Sequence, residues 1–108
     1  MTRVVVSQAA QSDVETIIVD LALKAGHATA VEYIELFEKL YRLFERFPAS
    51  GSPRPNLGHG VRIGIATPYI MFYRYDRNND LIYVQRVLHS KRYVTRAMLA
   101  RTRRRKKE

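Results

Sequence analysis

The stretch IYVQRVLHSKRYVTR, residues 82–96, decides how this chain is read. It opens as a strand, rich in β-branched and aromatic residues, and closes on a cluster of His89, Lys91, Arg92, Tyr93 and Arg96. Strand side chains alternate between faces, which puts Ile82, Val84 and Leu88 on one side with Arg86, and Tyr83, Val87 and His89 on the other. Alternation therefore leaves the buried side open. Arg86 is expected either to be paired or to face a partner, because an unpaired charge in a core costs several kcal/mol.

Working backwards, YIMFYRY (69–75) and VRIGIA (61–66) are two more strand-like runs. The connections DRNND and Thr67-Pro68 are short enough for antiparallel pairing. The segment PASGSPRPNLGHG, residues 48–60, reads as a loop on its prolines and glycines. Its His59, flanked by glycines, reads as an exposed turn residue.

Before the loop lie two amphipathic segments. Ala10, Val14, Ile17, Ile18, Leu21 and Ala25 recur at spacings of three and four, which predicts a helix from about Gln8 to Ala25. Ser7 is its expected N-cap and Gly26 the residue that ends it. Thr29 and Glu32 have capping-box spacing, and an apolar stripe from Ala30 through Tyr33, Phe37, Leu40 and Phe44 to Phe47 predicts a second helix, stopped by Pro48. So short a link makes the two an antiparallel hairpin. The stripe is core, and Glu15, Glu32, Glu35 and Glu38 between its positions are solvated rather than catalytic. RVVVS at residues 3–7 reads as an opening strand.

The resulting class is α+β: an N-terminal strand, a two-helix hairpin, a three-stranded antiparallel sheet and a short basic C-terminal helix, with residues 1–100 as the domain and 101–108 as a basic tail. Val61, Ile63 and Ile65 alternate with Arg62, Gly64 and Ala66, so Arg62 is expected on the face away from the helices.

Composition narrows the function. The chain has 108 residues, no cysteine and a net charge of +9, which excludes a disulfide framework and a thiolate metal site. The N-terminus lacks an apolar run of signal-peptide or membrane-span length, so a cytoplasmic protein without a membrane partner is expected. Residues 1–47 carry five Lys/Arg against seven Asp/Glu, and residues 48–108 fourteen against three, so the charges are −2 and +11. The second part is built to face something acidic. No phosphate-binding glycine loop, HExxH or nucleophile elbow is present, and no cofactor is expected.

The element order, the stretch RFPASGSPRPNLGHGVRIG, the strand YIMFYRYD and the ending IYVQRVLHSKR resemble the ParE branch of the RelE/ParE toxin superfamily over residues 3 to about 93. That resemblance implies a small non-enzymatic toxin of a type II toxin–antitoxin module. It would inhibit DNA gyrase, be neutralised by a ParD-type antitoxin, and reach operator DNA only through that antitoxin. Arg62, Arg74, Arg86, His89, Lys91, Arg92 and Arg96 are then the candidate antitoxin- or target-binding residues. The sister branch cleaves messenger RNA on the ribosome, and for that activity His89, Arg92 and Tyr93 are the candidate catalytic residues. Against it, Ile70 stands where that branch has an arginine, and Arg62 and Gly64 stand where it has a lysine pair. A plain nucleic-acid-binding domain is the third reading.

Overall fold

The helices form where the apolar spacing predicts them, but the sheet is larger than the three expected strands. In the computed structural model, which describes residues 1–102, the order is β1 (Arg3–Val6), α1 (Gln8–Ala25), α2 (His27–Arg46), β2 (Ser52–Pro53), a 3-10 turn (Pro55–Leu57), β3 (Val61–Ala66), β4 (Tyr69–Asp76), β5 (Leu81–His89) and α3 (Arg96–Ala100). Residues 103–108, most of the expected basic tail, lie outside the described residues.

Ser7 caps α1 as expected, its hydroxyl accepting from Ala10 N at 2.9 Å, and it also donates to Gln85 O at 2.9 Å. One residue thus starts the helix and ties it to β5. Gly26, at φ +97°, is the whole link between the helices, and α2 begins at His27. The Thr29–Glu32 capping box is therefore corrected: both residues sit inside the helix, because glycine alone turns the chain.

The sheet has the order β1-β5-β4-β3-β2. The central three strands pair antiparallel as expected, while β1 adds to β5 in parallel and β2 to β3 antiparallel. Sequence spacing showed neither pairing, because β1 meets its partner across the whole helical hairpin and β2 is two residues long.

Two cores flank the sheet. On one side Phe37 and Phe44 of α2 and Ala10 of α1 pack on Ala66, Met71, Tyr73, Ile82, Val84 and Val87. On the other, Val61, Ile63, Phe72 and Leu88 pack under Leu99 of α3. The expected faces of β3 are thus reversed. A Cβ on Gly64 would lie 2.7 Å from Phe44 Cζ, so the small residues of β3 receive the rings of α2 and the branched ones face away. Arg62 consequently stands on the helix side, beyond the end of α2.

The face of β5 is settled by a bulge. Tyr73 pairs with Val84 and Phe72 with Arg86, which leaves Gln85 as an extra residue. Ile82 and Val84 before it and Val87 after it all enter the helix-side core, while Leu88 enters the other. Simple alternation could not do this.

The close approach at Gly64 is testable. Gly64→Ala is expected to lower unfolding free energy by about 1–3 kcal/mol through overpacking against Phe44. Urea denaturation with an unchanged m-value checks it, and an unchanged midpoint would contradict the packing described.

Candidate binding surfaces at the two ends of the sheet

The basic residues singled out in the sequence do not converge on one site. Arg74 and Arg62 lie where β3 begins and β4 ends, whereas His89 pairs with Tyr69 at the opposite end of the sheet. From Tyr69 to Arg74 is five steps along β4, about 17 Å at strand rise. Single-step chemistry needs its groups within hydrogen-bond reach of one substrate.

Arg86 is committed to the fold. Its Nε and Nη2 donate to the two carboxylate oxygens of Asp13 at 2.7 and 2.8 Å, and the same carboxylate accepts from Val87 N at 3.0 Å. The hydrogen bond to Asp13 raises the guanidinium above its already high ordinary pKa. Both side chains are mostly buried, 19% and 12% exposed. Such a bidentate pair between α1 and β5 is structural cement.

Arg62 holds a loop. Its Nη1 donates to Ala49 O at 3.0 Å and Gly51 O at 2.7 Å. Beside it the buried Tyr73 hydroxyl donates to Pro48 O and accepts from Gly51 N, both at 2.9 Å. Burial, more than anything opposing it, raises the Tyr73 phenol above its ordinary pKa and keeps it neutral. The carbonyls that Arg62 meets are uncharged, so its positive charge still projects at this end.

Arg74 donates from Nε to His59 O at 3.2 Å. Its terminal nitrogens carry no hydrogen bond among the described residues. Arg96, the first residue of α3, folds back across the second face to the same place. His59, Arg74, Arg96 and the bulge residue Gln85 line one pocket of about 170 Å³ between the 3-10 turn, the sheet and α3.

At the far end, His89, Lys91, Arg92 and Tyr93 are all exposed. His89 Nδ1 accepts from Lys91 N at 3.1 Å, which puts the proton of the neutral ring on Nε2. The ring stands edge-on to Tyr69, centroids 5.7 Å apart, and Tyr69 in turn meets Tyr33 at 5.5 Å. Burial first, then Tyr33 and Asp20, raise the Tyr69 phenol above its ordinary pKa, so it is no base at neutral pH. This end offers charge and an aromatic shelf. Among the described residues no group of three His, Asp or Glu side chains could hold a metal ion.

Sequence reasoning missed Asp13, Gln85 and Tyr69. Gln85 had one signal, the three-residue step from Val84 to Val87 that a bulge requires.

A family model described as the ParE toxin of the type II toxin–antitoxin system parDE matches residues 4–93. No curated protein matches the sequence. Among solved structures the chain is similar to one from the chromosomal ParDE system of P. aeruginosa, at TM-score 0.68 and 18% identity, over 82% of this chain and 96% of that one. It is also similar to one from the toxin–antitoxin complex RelBE2 of Mycobacterium tuberculosis, at TM-score 0.52 and 23% identity, with the same coverages. Both likenesses establish the fold.

Removing Asp13 would strand a mostly buried guanidinium and the Val87 N–H. Asp13→Ala is expected to cost about 2–4 kcal/mol, partial exposure trimming the penalty of a fully buried pair, and the Asp13→Ala/Arg86→Met double variant should recover part of it. Chemical denaturation checks both, and additive losses would contradict the pairing.

Proposed function

Because the chain belongs to the ParE toxin family of type II toxin–antitoxin systems, we propose that it arrests growth by binding and inhibiting DNA gyrase until a ParD-type antitoxin neutralises it. The chain acts as a binding inhibitor in the cytoplasm, needs no cofactor, and meets operator DNA only through its antitoxin. Both solved neighbours come from toxin–antitoxin systems, which supports an antitoxin partner here.

The observation that carries the reading is the separation of the candidate residues. Exposed His89, Lys91, Arg92 and Tyr93 form a contact surface at one end, while Arg62, Arg74 and Arg96 present charge at the other. A partner of two surfaces fits this arrangement better than a single reacting phosphate. The positions where the ribonuclease branch carries cations support the same conclusion. Ile70 packs against the second core, and Gly64 faces Phe44 so closely that a longer side chain has no room. The remaining route to RNA cleavage runs through His89, Arg92 and Tyr93 alone.

Purified gyrase tests the proposal. Supercoiling should stop when the chain is added and return when it is pre-mixed with the antitoxin encoded beside it. Undiminished supercoiling in the presence of excess folded chain would overturn it.

A further inference from the structure

Among the described residues, Gln85 carries the one buried side-chain polar atom without a hydrogen-bond partner. It is 5% exposed, and its Nε2 makes a long hydrogen bond, 3.4 Å, to Leu99 O. Its Oε1 is buried and has no partner among the described residues. Flipping the amide would only point the oxygen at the Leu99 carbonyl. An unsatisfied buried acceptor is costly, so it marks a place where a donor is expected to arrive. The same pocket presents Arg74, with two unengaged terminal nitrogens, and Arg96, with no ion pair or hydrogen bond from its side chain among the described residues.

We propose that this notch receives one acidic side chain of a partner polypeptide, its carboxylate on Arg74 and Arg96 and a neighbouring main-chain N–H on Gln85 Oε1. Three features select that occupant. The volume of about 170 Å³ is below the roughly 300 Å³ at which sites for nucleotides and other small molecules begin, yet it suits a single amino-acid residue. Two arginines match a carboxylate in fork geometry. A bare acceptor beside them needs a donor close to the anion, which an acidic residue in a peptide has and a backbone phosphodiester lacks. Phosphate oxygens against Oε1 would repel. Alternation along β5 puts Gln85 on this face with Tyr83 and opposite Val84, and the bulge leaves it without a partner residue on β4.

Identifying the polypeptide as the antitoxin rests on the toxin–antitoxin reading, and the test separates the two. Affinity of the full-length antitoxin is measured for the wild-type chain, Arg74→Met/Arg96→Met, Gln85→Met, and Lys39→Met/Arg42→Met on the exposed side of α2, each verified as folded by its amide NMR spectrum. The arginine pair is expected to lose roughly tenfold or more, and Gln85→Met a smaller but clear factor. The lysine–arginine control is expected to stay within about twofold of wild type. Equal binding by all variants would overturn the notch while leaving the antitoxin reading intact. If the antitoxin fails to bind the wild type, that reading falls, and the notch is decided by titrating N-acetyl-glutamate N-methylamide into labelled chain. Saturable shifts of the Gln85 side-chain amide, absent with the capped glutamine analogue, support it. Equal response to both, or a stronger response to a single-stranded oligonucleotide, overturns it.

Discussion

The extra residue in β5 is the constraint on which the rest of the molecule depends. Were Gln85 paired as a regular strand residue, Val84 and Val87 would fall on opposite faces; because it is bulged out of the register both enter the helix-side core, and His89 reaches the aromatic shelf of Tyr69. A bulge costs regular pairing, and here the start of α1 makes good the loss. β1 ends at Val6, and beyond it Ser7 donates to Gln85 O while Asp13 accepts from Val87 N. Side chains of a helix thus continue the ladder that a strand began. The Asp13–Arg86 pair closes the same junction, so of the two expectations for Arg86, paired or facing a partner, the fold realises the first.

That junction also explains the distribution of charge. The hairpin covers one face of the sheet with apolar rings and turns Glu15, Asp20, Glu32, Glu35 and Glu38 to solvent while Asp13 pairs with Arg86, so the first part of the chain is mostly scaffold. The second face is covered differently, by Leu57, Val94, Met98 and Leu99 of the segments flanking the sheet. Tyr83 holds the far end of α3 through Thr102 O, and Gln85 touches it through Leu99 O. This fastening brings Arg96 beside Arg74, although the two are far apart in sequence. Cations are thereby presented at both ends of the sheet, from β3, β4 and α3 at one and from the turn after β5 at the other, a charge pattern that complements an acidic partner.

Much of this was legible in the residues. The spacing of Val14, Ile17, Ile18 and Leu21 and the cap at Ser7 marked α1, the solvated glutamates fell on its and α2's exposed sides, and three strands lay where β-branched runs predicted them. What failed had physical causes. The faces of β3 were reversed because alternation reports that two sides differ, not which one meets large rings; Gly64 and Ala66 are small because Phe44 is large. β1 and β2 joined the sheet through contacts distant in sequence or too short to carry a pattern. The candidate binding residues were singled out by type and by family resemblance, but the grouping of Arg74 with Arg96 depends on α3 folding back, which periodicity does not encode.

The central claim is that the exposed end around His89 docks and does not cleave. The direct measurement is messenger RNA integrity on purified translating ribosomes, read at nucleotide resolution, with the wild-type chain and His89→Ala in parallel with their arrest of growing cells. The account predicts intact message in both samples and growth arrest preserved in the variant. Cleavage by the wild type that falls roughly 10²- to 10⁴-fold in His89→Ala, as loss of a proton-transfer group would cause, would contradict it.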